Sequence, residues 1–309
     1  MGTDLIAAMP AADRAALEQA ADSVPFARGN LFRATRDDQV IDLIGTYHLA
    51  DPRHDSLMAA AEPLVAGARL LLVEAGPAEE TRMKAEVTRR PEFILLPAGP
   101  TLADLLGATD WQALAAAMQA RGVPPDVASR FRPWYLAMML GIPPCAMDMV
   151  REGEKGLDHR LVAAAQARGL PVQALEPFDT LFSMFGDLPM VDELDMVRAA
   201  LLMADRPEDM AETLANAYFA GRARLVWEFT QARSLARPGA DAKAVQAQFA
   251  LMQEVVMARR NRAWIGVITA AAAARGRVLV ASGALHLPGD DGVLALLAAE
   301  GWLITRLDG

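Results

Sequence analysis

Two histidines follow apolar, β-branched segments near opposite ends of this 309-residue chain. Residues 40–44 lead into a Gly-x-x-His motif that ends at His48, and residues 278–282 lead into a second motif that ends at His286. Glycine lets a backbone turn sharply, and open α/β sheets bind their ligands at the carboxyl ends of their strands. The pattern therefore predicts that two strands deliver His48 and His286 to two walls of one site.

Two glutamates stand at the corresponding places after two further apolar segments. Residues 70–73 are followed by Glu74, and residues 172–175 are followed by Glu176. A titratable group at the end of an apolar strand is costly to bury unless it has a partner. Parallel strands joined by helices end at the same edge of a sheet, so we expect both carboxylates to lie beside the two histidines.

This set of side chains has the composition of a divalent-metal site. Two imidazoles and one carboxylate can hold a transition ion and leave positions open for water, and the bound water becomes a nucleophile near neutral pH. We expect His48, Glu74 and His286 to be ligands of a divalent ion. These donor types do not distinguish among Mn, Co and Zn. Glu74 is a ligand or a base, and Glu176 takes a proton or orients a ligand. Each residue taken singly also has a structural interpretation, such as a hydrogen-bonded loop histidine or a carboxylate at a helix N-terminus.

The basic run at residues 259–262 supplies a candidate for neutralising an oxyanion. Such a run is typical of a solvated helix face, but one of its arginines could reach the pocket, and we take Arg262 as the catalytic candidate. Asn261 fits a helix cap. The other two histidines suggest less: His54 lies in a turn and is expected to be solvated, and His159 is expected at the surface.

The elements that would position these residues predict an α/β fold. Residues 31–45 suggest a β-hairpin, and the strand–helix–strand order that follows favours a parallel sheet. We predict a mixed, largely parallel central sheet flanked by helices, in a single domain spanning residues 1–309. Residues 178–275 lack strand signals and predict a helical insert that roofs the cleft, while residues 92–96 suggest an additional strand.

Composition excludes several classes of function. A formal net charge of -9 argues against non-specific nucleic-acid binding, and 53% hydrophobic with 22% charged residues indicates a globular chain. The single cysteine, Cys145, allows no intrachain disulfide. We expect no membrane span, because no apolar run approaches the ~20 residues that one needs. No basic-then-apolar leader opens the chain, and the sequence leaves the oligomeric state open.

An ordered set of short motifs resembles the TraB/GumN family, most closely its bacterial GumN branch. The resemblance runs from about residue 28 to about residue 307. It implies a fold similar to erythromycin esterase and the haem-binding ChaN proteins, in which an α/β core carries a helical insert. The motifs are Ile-Gly-Thr-Tyr-His at 44–48, Val-Glu at 73–74, Gly-Leu-Asp at 156–158, Leu-Glu at 175–176, Arg-Asn-Arg-Ala-Trp at 260–264 and Gly-Ala-Leu-His-Leu-Pro-Gly at 283–289.

The resemblance also implies an activity. In the Tiki members of the family, the two Gly-x-x-His histidines and a strand-end glutamate are associated with divalent-metal-dependent peptide cleavage. Matched by motif, these residues are His48, Glu74 and His286, with Glu176 and an arginine of the 260–262 run in support. The implied partner is a peptide or small apolar substrate. GumN-like chains commonly begin with an export signal, so the resemblance implies a periplasmic or exported protein.

Two other functions are compatible with the same residues. In a metal-independent, esterase-like hydrolase, His48 would act as the general base that activates water. In a non-catalytic module, the methionine-bearing helices of the insert would bind a peptide or haem, because methionine side chains adapt to irregular apolar ligands. Hydrolysis that survives chelation but needs His48 would support the first alternative, and saturable binding without turnover would support the second.

Overall fold

A computed structural model describes residues 2–186, 188–237 and 239–309 of the chain. Its centre is a six-stranded sheet, which confirms the predicted α/β class. Ordered across the sheet, the strands are β4, β3, β5, β2, β1 and β6. Their bounds in chain order are β1 Leu31–Arg36, β2 Gln39–Thr46, β3 Leu71–Val73, β4 Val172–Ala174, β5 Arg277–Gly283 and β6 Leu303–Arg306.

Helices make up most of the rest. Their bounds are α1 Ala11–Asp22, α2 His54–Gly67, α3 Pro77–Arg89, α4 Leu102–Leu106, α5 Ala108–Gln119, α6 Pro125–Ala128, α7 Pro133–Leu140, α8 Pro144–Glu152, α9 Leu157–Ala167, α10 Thr180–Gly186, α11 Met190–Ala204, α12 Pro207–Phe219, α13 Ala223–Leu235, α14 Ala242–Met252, α15 Arg259–Arg275 and α16 Val293–Ala299. A π-helix, Gln253–Ala258, joins α14 to α15, and short 3₁₀ turns occupy Pro91–Phe93 and Ala284–His286.

The two strands that carry the Gly-x-x-His motifs are direct neighbours. β2 pairs in parallel with β5, with Gly45 opposite Ser282 and Thr46 opposite Gly283. β3 pairs in parallel with β5 and with β4, so four adjacent strands run in one direction. Their carboxyl ends share one edge of the sheet. β1 is antiparallel to both β2 and β6, which makes the sheet mixed.

Helices cover both faces of the sheet, because the central strands are apolar on both sides. On one face α15 packs against β2 and β5 and α16 packs against β1 and β6, and the buried residues of this layer include Trp264, Ile268 and Leu294. On the other face α2 and α9 contribute Leu64 and Leu161 to a second apolar layer. This double coverage is typical of parallel sheets. It leaves the carboxyl edge as the surface where polar groups can gather.

Two long helical segments lie outside this core, α3–α8 and α10–α14. Residues 178–275 contain helices and turns but no strand in their described part, as predicted, whereas the domain boundaries themselves stay a prediction. The strand predicted at residues 92–96 is wrong: Pro91–Phe93 is a 3₁₀ turn, and Leu95 makes only an isolated bridge to Phe131. That segment has no neighbouring strand to pair with. No helix in the described part of the chain combines the length and apolar content that a membrane crossing requires.

Candidate active site

The four strand-end side chains converge at the carboxyl edge of the sheet, as the sequence predicted. Gly283 marks the centre of the group. A Cβ placed on this glycine would lie 3.3 Å from Glu74 Oε1 and 3.7 Å from both His48 Nε2 and His286 Cδ2. The two histidine rings therefore approach each other to within twice that distance, with Glu74 between them. A side chain at position 283 would fill the space that these groups share.

Arg260 on α15 connects these side chains. Its Nη2 donates to Glu74 Oε2 and to Glu176 Oε1, each at 2.6 Å, and its Nε donates to Glu176 Oε2 at 2.9 Å. Its Nη1 lies 3.2 Å from His286 Nε2. The arginine side chain is only 8% exposed. One guanidinium thus balances the charge of two largely buried carboxylates through its planar set of donors.

The arginine expected in the site was Arg262, and the structure places Arg260 there instead. The Arg262 side chain is 46% exposed and pairs with Glu254 and Asp291. Residues two apart on a helix point to nearly opposite sides, so only one of the pair can face the sheet. Trp264 and Ile268 follow Arg260 at intervals of four and are both fully buried. This apolar spacing was the sequence signal that identifies Arg260 as the inward residue.

His286 is held in one tautomer by its two neighbours. Its Nδ1 lies 2.6 Å from Asn261 Oδ1, an acceptor, and its Nε2 faces the Arg260 donor. The proton therefore sits on Nδ1, and Nε2 keeps its lone pair. Burial, with the nearby Arg260 and His48 charges, lowers the pKa of His286 to about 4 even though Glu74 opposes this. The imidazole is accordingly neutral at pH 7. The sequence suggested Asn261 as a helix cap. It instead lies within α15, where its buried side chain orients this histidine.

His48 has the opposite environment. Its Nδ1 lies 3.3 Å from Asp158 Oδ1, at the start of α9, and its side chain is 64% exposed. Gly156 makes this possible, because a Cβ there would lie 2.3 Å from the His48 carbonyl oxygen. The bond to Asp158, together with the charges of Asp158 and Glu74, raises the pKa of His48 to about 9. This histidine therefore carries its proton at neutral pH.

Glu74 stays ionised although it is enclosed. Burial opposes its charge, but His286, Arg260, His48 and the Gly283 amide outweigh that cost and lower the pKa of Glu74 to about 2. Gly283 N donates to Glu74 Oε1 at 2.6 Å. Glu176 receives a further bond at 3.0 Å from Trp264 Nε1. Both carboxylates are thus fixed acceptors.

His159 and His54 lie outside this central group. His159 Nε2 lies 3.1 Å from Glu80 Oε1, and its Nδ1 lies 2.9 Å from Asp158 Oδ2. His54 was expected to be solvated, but it is fully buried and contacts the Leu49 carbonyl at 2.9 Å. It packs among Tyr47, Tyr218 and Phe219 and has a structural role.

An apolar cavity of about 580 Å³ opens directly on these side chains. His48, Glu74, Glu176 and Arg260 line one end of it. The helices between residues 180 and 260 supply most of its remaining wall, as predicted for the insert. That wall includes Leu181, Phe185, Met196, Val226, Trp227, Phe249 and Met252. The volume lies within the range of small-molecule sites, which are mostly apolar with a few placed polar groups.

The donor atoms are of types that bind divalent ions, but their present contacts do not form an ion site. His48 and His286 both turn Nδ1 toward an oxygen acceptor, the arrangement that directs Nε2 at a metal. Arg260, however, contacts both His286 Nε2 and Glu74 Oε2. Within the described residues, no group of three or more His, Cys, Asp and Glu side chains is arranged so that it could hold a metal ion.

A π-helix directly precedes the residues that carry this chemistry. Gln253–Ala258 adds extra residues to the turns before Arg260, and the chain continues as α15 without interruption. Such π turns are rare and are frequent at functional sites. After this π turn, Arg260 and Asn261 of α15 are buried, whereas Phe249 and Met252 of α14 line the apolar cavity.

Comparison with known families agrees with this arrangement. A model of the TraB/PrgY/gumN family matches residues 30–306 of the chain, and the chain belongs to that family. The matched range contains every residue of the site described above. No curated protein and no solved structure gave a match.

Proposed function

We propose that this member of the TraB/PrgY/gumN family is a hydrolase that cleaves a peptide or another small apolar substrate at the site formed by His48, Glu74 and His286. One observation supports the proposal most strongly. Glu74 lies 3.8 Å from His286 Nε2 and lines, with His48, the end of an apolar cavity, and its surroundings lower the pKa of Glu74 and of His286 and raise the pKa of His48. Neighbouring titratable groups whose pKa values are driven apart by their surroundings are typical of acid–base catalysis.

The residues have separable roles in this proposal. The apolar cavity binds the substrate and places its carbonyl near Glu74. In the absence of an ion, His48, protonated at neutral pH, donates a proton to the leaving group; with an ion bound at its Nε2, His48 is a ligand instead. The Arg260 guanidinium contributes positive charge close to the oxyanion that forms at the carbonyl. Asp158 and Asn261 orient the two imidazoles, and Glu176 fixes Arg260.

The proposal also includes a divalent ion that would be bound by donor atoms of this site. His48 and His286, through Nε2, and Glu74 would hold it, and the ion would supply a water that is acidic near neutral pH. Because the His48 pKa is raised in the metal-free site, ion binding should release a proton. Protein purified without chelator should therefore contain close to one equivalent of Mn, Co or Zn, measured by mass spectrometry of the metal.

Matched variants test this assignment. His48→Ala and His286→Ala should lose both the metal and the hydrolysis of a panel of apolar peptides and esters. Arg262→Ala is the control, because Arg262 pairs with Glu254 and Asp291 away from the central group, and it should keep both. Equal, negligible metal in all four proteins would remove the ion from the proposal.

A second candidate is hydrolysis without a metal, and Arg260 favours it. The guanidinium already supplies the positive charge that Glu74, Glu176 and His286 face. In this version His48 suits a general acid better than the general base expected from the sequence, because its pKa of about 9 keeps it protonated. Turnover that persists after exhaustive chelation but disappears in Arg260→Met would select this candidate over the first.

A further inference from the structure

A second, smaller pocket lies on the other side of His48 and Glu74 from the apolar cavity. This side pocket has a volume of about 200 Å³, and its wall includes Thr46, Asp158 and Ser282. His48 and Glu74 line both spaces. The two central residues therefore separate a large apolar compartment from a small one that has carboxylate, hydroxyl and imidazole groups in its wall.

One hydroxyl group of this wall lacks a protein partner. Thr46 is 4% exposed, and in the described part of the chain no protein group forms a hydrogen bond with Thr46 Oγ1. Leaving a buried hydroxyl unsatisfied costs about 1–3 kcal/mol, and native structures usually satisfy such groups with protein atoms or ordered water. Ser282 also borders the pocket, but it pairs with Gly45 whereas Thr46 pairs with Gly283, so the two side chains point to opposite faces of the sheet.

We propose that the side pocket holds the water that attacks the substrate, and that Thr46 positions it. The pocket is large enough for water, which needs two to four polar partners, and its wall offers hydroxyl and carboxylate groups. The inference rests on the proposed hydrolytic function in its metal-free form. It adds that water reaches His48 and Glu74 from the side pocket and substrate reaches them from the apolar cavity.

The separation has a chemical consequence. A carbonyl held at the end of the apolar cavity presents one face to the side pocket. The water oxygen forms the new bond to the carbonyl carbon, and one of its protons passes to Glu74. The leaving nitrogen or oxygen takes a proton from His48 as its bond to carbon breaks. Water is the only co-reactant, and the proton on Glu74 later restores the charge state of His48.

Thr46→Val tests the role, because it removes a hydroxyl with little change in volume. Loss of one hydrogen bond to the attacking water should lower kcat about tenfold with KM unchanged, because the apolar cavity is untouched. Thr46→Ser should restore kcat, since it returns the hydroxyl. Thr269→Val is the control: its hydroxyl bonds the Ile265 carbonyl within α15, far along the helix from the site, and kcat should not change.

A crystal structure of the whole chain gives a readout that does not depend on turnover. An ordered water should lie within hydrogen-bond distance of Thr46 Oγ1 in the wild type and should be missing in Thr46→Val. Active protein without that water, or with equal kcat in Thr46→Val and Thr269→Val, would overturn the inference alone. Absence of hydrolysis across the substrate panel would overturn the proposed function, and the catalytic role of the water with it.

Discussion

Replacing Arg260 should destabilise the protein far more than replacing Arg262, two residues further along the same helix. Arg260→Met keeps an unbranched apolar stem but removes the charge and its donors. It leaves Glu74 and Glu176, whose side chains are 20% and 11% exposed, without their cation. Removing one partner of a buried ion pair typically costs about 3–5 kcal/mol. Arg262→Met breaks only pairs among side chains that are about half exposed, which are worth at most about 1 kcal/mol.

The cost should also depend on pH, and its sign follows from Glu74. The pKa of Glu74 is lowered from 4.5 to about 2 in the folded protein, so its ionisation stabilises the fold above pH 4.5 and that stabilisation is lost as the pH falls toward 2. Without Arg260 the folded pKa rises and this contribution largely disappears at neutral pH. The difference between wild type and Arg260→Met should therefore be at its full size above about pH 4.5 and should shrink as the pH falls toward 2.

Urea unfolding followed by circular dichroism, in the presence of chelator, measures both effects. The wild type, Arg260→Met and Arg262→Met should be compared at pH 7 and at about pH 3, with the slopes of the transitions checked for equality. Arg260→Lys should fall between the two methionine variants, because a point charge replaces the planar set of donors. Equal losses for Arg260→Met and Arg262→Met, or a loss independent of pH, would refute the assignment of Arg260 as the counter-charge of both glutamates.

Three further results are expected. In metal-free protein, NMR titration of the imidazoles should show His286 neutral down to about pH 4 and His48 protonated up to about pH 9; two midpoints near 6.5 would contradict both environments. The same pKa values predict that His286 lowers stability as the pH falls from 6.5 to 4, whereas the contribution of His48 is lost as the pH rises from 6.5 to 9. Asn261→Asp should raise the pKa of His286 by about one to three units, because it puts a carboxylate beside Nδ1, and an unchanged midpoint would count against the contact. Added Mn, Co or Zn should shift the His48 resonances in the wild type but not in Glu74→Gln, and equal shifts would exclude Glu74 as a ligand.

Local patterning was enough to predict the order and direction of the main strands. Apolar runs of the right length marked β2, β3, β4 and β5, and helical segments between them required a parallel arrangement. The side chains after these strands were therefore expected at one edge, and they lie there. The predicted strand at residues 92–96 failed, because an apolar run becomes a strand only where a neighbour supplies hydrogen bonds.

The choice between Arg260 and Arg262 shows where sequence reasoning stopped short. Both belong to one basic run, and composition does not distinguish them. The helical spacing to Trp264 and Ile268 was visible in the sequence and would have selected Arg260. The spacing could not predict that Arg260 contacts Glu176 and Glu74, because these residues lie 84 and 186 positions away in the chain.

The sequence by itself determined which residue types gather at the carboxyl edge, because strand direction and the position after each strand are local properties. Only the tertiary structure decided their protonation and their partners. His48 and His286 end identical Gly-x-x-His motifs, yet one binds Asp158 and holds its proton while the other is buried beside Arg260 and loses it. A pKa is set by burial and by charges within a few ångströms, and those neighbours come from helices distant in the chain.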